Sequence, residues 1–166
     1  MTSAPRPFDT VLVANRGEIA VRVLRAAKES GLRGVAVYSD PDEGSLHVEN
    51  ADQAVHLPGT TLADTYLNGD AIIEAARSTG AQAIHPGFGF LSERADFANA
   101  VKAAGLIWIG PPADAIDTMG DKISARRCMI ESGVPVIPGE EISIGGDSDH
   151  LGVLASAAAR VGYPLL

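Results

Sequence analysis

Three glycine-containing segments of this 166-residue chain carry the residue types that cradle phosphates or let a ligand approach the backbone. In the first, Asn15-Arg16-Gly17-Glu18-Ile19-Ala20, one glycine stands where a dinucleotide turn requires three, and Glu18 sits where a pyrophosphate would approach. A nicotinamide or flavin site is therefore not expected there. In the second, Gly87-Phe88-Gly89-Phe90-Leu91-Ser92, two glycines permit a tight turn, and a following helix would offer free N–H groups to an anion. Ser92 replaces the third glycine, so the segment reads either as a plain strand-to-helix turn or as a sheet edge beside a ligand. The third, Met119-Gly120-Asp121-Lys122-Ile123-Ser124, brings Gly, Lys and Ser together, but no glycine lies five residues before Gly120. A Walker cradle is excluded by that spacing, and taken alone Lys122 reads as a solvated lysine.

The remaining reactive side chains point to less. His47, His56, His85 and His150 lack the spacing and the thiolate company of a metal site, so no metal is expected. Cys128, the single cysteine, lies on an expected helix and reads as a small buried thiol; it cannot form an internal disulfide, which suggests a reducing compartment. Trp108 sits in an apolar run and reads as core.

The elements that must position these residues alternate. Residues 10–15 and 34–39 read as strands around a helix at 18–30, on which Ile19, Ala20, Val23, Leu24 and Ala27 share one face. Residues 40–50 read as a polar loop, 54–57 and 83–86 as strands flanking a helix at 69–79, and 106–109 as a strand after a helix at 94–104. Apolar strands with helical crossovers imply a doubly wound, mostly parallel α/β sheet of Rossmann-like type through about Pro112. Beyond it the pattern turns helical, at 113–119, 121–132 and 148–161, with a loop at Gly145-Gly146-Asp147. A net charge of −8 argues against general nucleic-acid binding, and no apolar run approaches the roughly 18 residues of a membrane helix. With no signal-like stretch in residues 1–7, the cytoplasm is the expected compartment.

Taken together, Val-Ala-Asn-Arg-Gly-Glu-Ile-Ala (13–20), Ala-Val-Tyr-Ser (36–39), His47-Val48, Ala51-Asp52, Tyr66-Leu67, Ile84-His-Pro-Gly-Phe-Gly-Phe-Leu-Ser-Glu93, Ile109-Gly110-Pro111 and Met119-Gly-Asp-Lys122 resemble the amino-terminal domain of biotin carboxylase. The resemblance runs in order over nearly the whole chain and is most like the carboxylase subunit of an acetyl- or propionyl-CoA enzyme. It implies a pre-ATP-grasp domain with no dinucleotide fingerprint, in an enzyme that activates bicarbonate with ATP and carboxylates biotin on a carrier domain. A separate carboxyltransferase subunit then carboxylates an acyl-CoA. By resemblance, Lys122 is the lysine that reaches the nucleotide phosphates, which reverses its reading as a solvated side chain. Phe88 and Gly89 line the biotin end of the site, with phenylalanine where the family usually has tyrosine, and Glu93 belongs to the same motif. Arg22, Arg25 and Glu29 match charged positions at a twofold dimer contact, with Glu18–Arg22 and Arg25–Glu29 as expected i,i+4 pairs.

These implications divide the chain into an extension at 1–9, the Rossmann-like domain at 10–119 and the truncated start of an ATP-grasp region at 120–166. ATP, biotin and Mg2+ or Mn2+ are expected to serve the full-length enzyme. No catalytic residue and no bound cofactor are expected for this part alone, because one lysine contact is too little to offset the several kcal/mol lost on association. The ATP-grasp and C-terminal carboxylase domains would be the missing partners, and a homodimer the full-length assembly. A self-standing nucleotide-sensing module built on the 87–92 turn, and a purely structural dimerisation domain, are the rival readings.

Overall fold

The computed structural model describes residues 6–142 and 150–165. The expected loop at Gly145-Gly146-Asp147, the expected helix start at Ser148, residues 1–5 and Leu166 lie outside the described residues.

Four residues of β1 (Thr10–Val13) are buried on both faces, which is why this segment is apolar without alternation. Then α1 (Gly17–Glu29) turns Ala20, Leu24 and Ala27 inward, and Gly31 follows it at φ +70, where a side chain would be strained. The order continues β2 (Arg33–Tyr38), α2 (Leu46–Glu49), β3 (Gln53–His56), α3 (Gly69–Thr79), β4 (Ala83–His85), α4 (Ala95–Ala103) and β5 (Ile107–Trp108). At the start of α3 the Asn68 side chain accepts the Ala71 N–H at 3.1 Å, satisfying one of the free donors of the first turn.

The five strands lie in the order β3-β2-β1-β4-β5, and each neighbouring pair is parallel. Side chains alternate across the central strand. Leu12 joins Val35, Val37, Ile84, Ile72, Phe97, Val101 and Trp108 on the face covered by α3 and α4. Val13 packs with Ala20 and Leu24, and Val11 with Ala27, on the opposite face under α1. The chain reverses direction of winding between β1 and β4, the place at which such sheets open a crevice at their carboxyl ends.

The chain folds as two compact units that divide between Asp117 and Thr118, inside α5 (Ala113–Gly120). Ile116 of α5 is buried in the core of the first unit. The second unit contains α6 (Lys122–Glu131) and α7 (His150–Val161). Its α6 has no buried residue, and Ala157 is the buried residue of α7. Its polar contacts fasten the intervening segment to the helices: Arg126 donates to the carbonyls of Ile137 and Gly139, Arg127 pairs with Glu141 at 3.0 Å, and Arg160 pairs with Glu140 at 2.6 Å.

Several local expectations change. The 40–50 segment is not a plain loop: a 3-10 turn at Asp40–Asp42 and the short helix α2 form there, because Asp42 and His47 are buried and hydrogen-bonded to distant groups. Between the Gly87–Gly89 turn and α4 stands a further 3-10 turn, Phe90–Glu93, so α4 starts at Ala95. Cys128 is half-buried, not core, since α6 turns no face into a packed interior. Among the described residues, no ion pair joins Glu18 to Arg22 or Arg25 to Glu29. These four side chains stand exposed or along a groove, where solvation competes with pairing.

Candidate functional site

The carboxyl ends of β1 and β4 lie side by side, joined by the Ala14 N–H to the His85 carbonyl at 2.8 Å. Immediately beyond β1, Asn15 is 3% exposed and its side-chain Nδ2 donates to the carbonyls of Pro86 and Phe88, each at 2.9 Å. Its Oδ1 accepts the Arg16 N–H at 3.0 Å, which fixes the orientation of the amide. Beyond β4, the His85 Nδ1 accepts the Gly87 N–H at 3.0 Å, and burial holds that imidazole below its ordinary pKa, in the neutral form this bond requires.

The turn itself requires glycine twice, for different reasons. Gly87 has φ +73, and a Cβ there would lie 2.6 Å from the Asn15 Nδ2. Gly89 has φ +67 but faces open space. Between them Phe88 projects outward and is 77% exposed. Phe90 follows at φ +50, a conformation rare for a bulky residue, and its ring stacks on Tyr66 with centroids 5.6 Å apart and planes within 9°.

Tyr66 is the centre of a buried polar group. Its hydroxyl donates to Asp42 Oδ2 at 2.6 Å and accepts the Ser39 N–H at 3.1 Å. Ser39 Oγ donates to the same Asp42 oxygen at 2.9 Å, and Arg16 pairs with the other carboxylate oxygen at 3.0 Å. The Arg16 guanidinium also lies over the Tyr66 ring, 5.6 Å from its centroid. Burial, reinforced by the Asp42 carboxylate, pushes the Tyr66 hydroxyl up to about 12, so it stays a neutral donor. Nearby His47 is fully buried; its Nε2 donates to the Val37 carbonyl at 3.1 Å, leaving Nδ1 to accept from Ser45 Oγ at 2.8 Å.

The structure thus brings Phe88 and Gly89 to one turn at the carboxyl edge of the sheet, with Glu93 exposed at the end of the following 3-10 turn. Lys122 belongs to the second unit, exposed as the first residue of α6. There Asp121 caps the helix by accepting the Ser124 N–H at 2.7 Å, which lowers the Asp121 carboxyl from its usual range. Arg22, Arg25 and Glu29 are exposed on α1, and the two arginines border a groove closed by Leu46 and His47 of α2. Among the described residues no group of three or more His, Cys, Asp or Glu stands close enough to hold a metal ion.

Sequence reasoning placed Asn15, Arg16, Tyr66 and Phe90 within motifs but gave none of them a role of its own, and it left Asp42 in a polar loop. Their partners lie up to 73 residues away in the chain, and no local spacing reports them.

A five-stranded parallel sheet of Rossmann-like type, with a glycine turn locked at its carboxyl edge and no dinucleotide fingerprint, defines the class of the first unit as an α/β domain. The family described as "Biotin carboxylase, N-terminal domain" matches residues 7–116. The chain belongs to that family. It is 49% identical over 161 residues to the mitochondrial methylcrotonoyl-CoA carboxylase subunit alpha of Dictyostelium discoideum, covering 97% of this chain and 22% of that protein. It is also 49% identical over 159 residues to the biotin carboxylase of Haemophilus influenzae, covering 96% of this chain and 35% of the relative. The biotin carboxylase domain of the Hydrogenobacter thermophilus 2-oxoglutarate carboxylase, solved with MgADP, ADP and bicarbonate, superposes with a TM-score of 0.84 at 41% identity, covering 96% of this chain and 34% of that one. The chain therefore spans between about a fifth and about a third of these relatives. None of the helices of the described residues is long and apolar enough to cross a membrane. The Dictyostelium relative is named as mitochondrial, so membership of this family does not by itself imply the cytoplasm.

Proposed function

We propose that this chain is the amino-terminal part of a carboxylase subunit that uses ATP and bicarbonate to carboxylate carrier-borne biotin, ahead of transfer to an acceptor by a carboxyltransferase. The observation that carries this reading is the match, over 96% of the chain, to a biotin carboxylase domain whose structure holds MgADP and bicarbonate. ATP supplies the phosphoryl group that activates bicarbonate, and a ureido nitrogen of biotin accepts the carboxyl group.

In this reading the Lys122 ammonium stands against the nucleotide phosphates. Its exposure at the head of α6 leaves it able to meet a polyanion, and the Asp121 carboxylate is occupied in capping the helix. The Phe88 ring offers an apolar face to the biotin bicycle, and the unhindered side of Gly89 lets that ring approach the backbone. Having no hydroxyl, Phe88 contributes packing and no hydrogen bond. Glu93 stands at the rim of the same edge. Arg22, Arg25 and Glu29 serve a twofold contact in a full-length homodimer. The acyl-CoA preference expected from the sequence belongs to this proposal too; the relatives' names include both methylcrotonoyl-CoA and 2-oxoglutarate carboxylases, so the acceptor is assigned to other parts of the full protein.

The test is ATP cleavage by the full-length protein with free biotin as acceptor. Cleavage that requires both bicarbonate and biotin is expected, and Lys122→Met raises the KM for ATP by about tenfold to a hundredfold, the loss of one charge-assisted contact of about 1.5–3 kcal/mol. ATP cleavage indifferent to biotin, or a Lys122→Met variant with unchanged KM for ATP, would count against the reading. The 166-residue chain alone is expected to show no turnover.

A further inference from the structure

We infer that Asn15 is the positioning residue of the Gly87–Gly89 turn, fixing where Phe88 stands without touching the ligand itself. The inference rests on the proposal that this turn edges the biotin site.

Asn15 sits just past the central strand, and its carboxamide is the cross-link between β1 and the turn that follows β4. Both amide hydrogens are used on consecutive sides of one peptide corner, at Pro86 O and Phe88 O, and the remaining oxygen is held by the Arg16 N–H. Its Nδ2 and Oδ1 are therefore both engaged, in a place only 3% exposed, where water cannot substitute readily for a lost bond. The turn has adapted to this side chain: Gly87 approaches it so closely that a Cβ would lie 2.6 to 2.8 Å from its Nδ2, Cβ and Cγ. What the clamp holds is an otherwise unsupported residue, since Phe88 is 77% exposed and has open space at Gly89 beside it. On the far side Phe90 is fixed separately, by its stack on Tyr66. Clamping at Pro86 and Phe88 and stacking at Phe90 leave Phe88 itself as the residue whose position depends most on Asn15.

Asn15→Ala deletes both donors and leaves the ring of Phe88 chemically intact. Gly87→Ala is the complementary variant, pushing on the same carboxamide from the turn side while keeping Asn15. Both are made in the full-length protein and assayed for bicarbonate-dependent ATP cleavage against free biotin, with ADP binding followed by calorimetry. The expected result is a split: KM for biotin rises at least tenfold in each variant, while KM for ATP and the affinity for ADP stay within about twofold. A general loss of structure would move the nucleotide parameters as well. The inference is overturned if biotin KM stays within twofold in both variants, or if biotin and nucleotide parameters deteriorate together in both. If Asn15→Ala alone loses nucleotide binding, Gly87→Ala decides by the same split. A wild-type protein whose ATP cleavage ignores biotin overturns the underlying assignment of the turn, and this inference with it.

Discussion

Replacing Tyr66 by phenylalanine removes one oxygen from the buried group that supports Phe90 and leaves every ring in place. That oxygen has two partners: it donates to the Asp42 carboxylate at 2.6 Å and accepts the Ser39 N–H at 3.1 Å. A hydrogen bond to a charged group contributes about 1.5–3 kcal/mol, and an N–H left unpaired in the interior adds a further cost of about 1–3 kcal/mol. Asp42 keeps Ser39 Oγ and Arg16, so part of the loss is recovered, and we expect a net destabilisation of about 2–4 kcal/mol. Trp108, the single tryptophan, is 8% exposed in the same core and reports the loss of that core by fluorescence. For a urea slope of about 2 kcal/mol/M the midpoint falls by about 1–2 M. A double-mutant cycle with Asp42→Asn isolates the shared bond, with an expected coupling of at least about 0.5 kcal/mol. A midpoint within about 0.2 M of wild type would refute the reasoning, since it would mean that the hydroxyl and its partners are equally well served by water.

Stability should also decline as the pH falls below about 6.5, the ordinary histidine value. Burial lowers the pKa of both His47 and His85 in the folded chain, so the unfolded chain binds more protons in the window between the ordinary value and the lowered ones. Stability from these two sites is complete above that window and lost through it on acidification; urea midpoints at pH 7.5 and 5.5 test this, and equal midpoints would refute it. Leu12→Ala, at a fully buried position in the central strand, is expected to cost about 2–5 kcal/mol, again read from Trp108 fluorescence; a cost below about 1 kcal/mol would show that the interior closes over the cavity.

The sheet was legible because its strands are buried on both faces. Val11, Leu12 and Val13, and Val35, Ala36 and Val37, are continuous apolar runs that no surface element would carry. The helices were legible from their periodicity and from Gly31 and Gly80 at their ends. What escaped was polar burial. Asp42 and His47 belong to a stretch of turn residues, and nothing local shows that Tyr66 and the Val37 carbonyl will bury them. The glycines at 87 and 89 announced a turn, whereas the clamp on it, Asn15, reads from its sequence position as the last residue of the first strand, although that strand ends at Val13. Lys122 gained a role from the resemblance alone, as its exposed place on α6 is also what an ordinary surface lysine would have.

The strand order has a consequence for how the chain acquires this structure. β1 pairs with β2 within a short hairpin-free crossover, Leu12 opposite Val35, but its other edge is closed by Ile84 of β4, which emerges about fifty residues later during synthesis, or roughly 3–10 s at ordinary elongation rates. Until then the most apolar strand of the sheet has one row of unpaired backbone groups. The nascent chain is consequently most open to wrong pairing and to chaperone capture before His85 is made, and a destabilised β1–α1–β2 unit should reduce soluble yield more than its equilibrium cost implies.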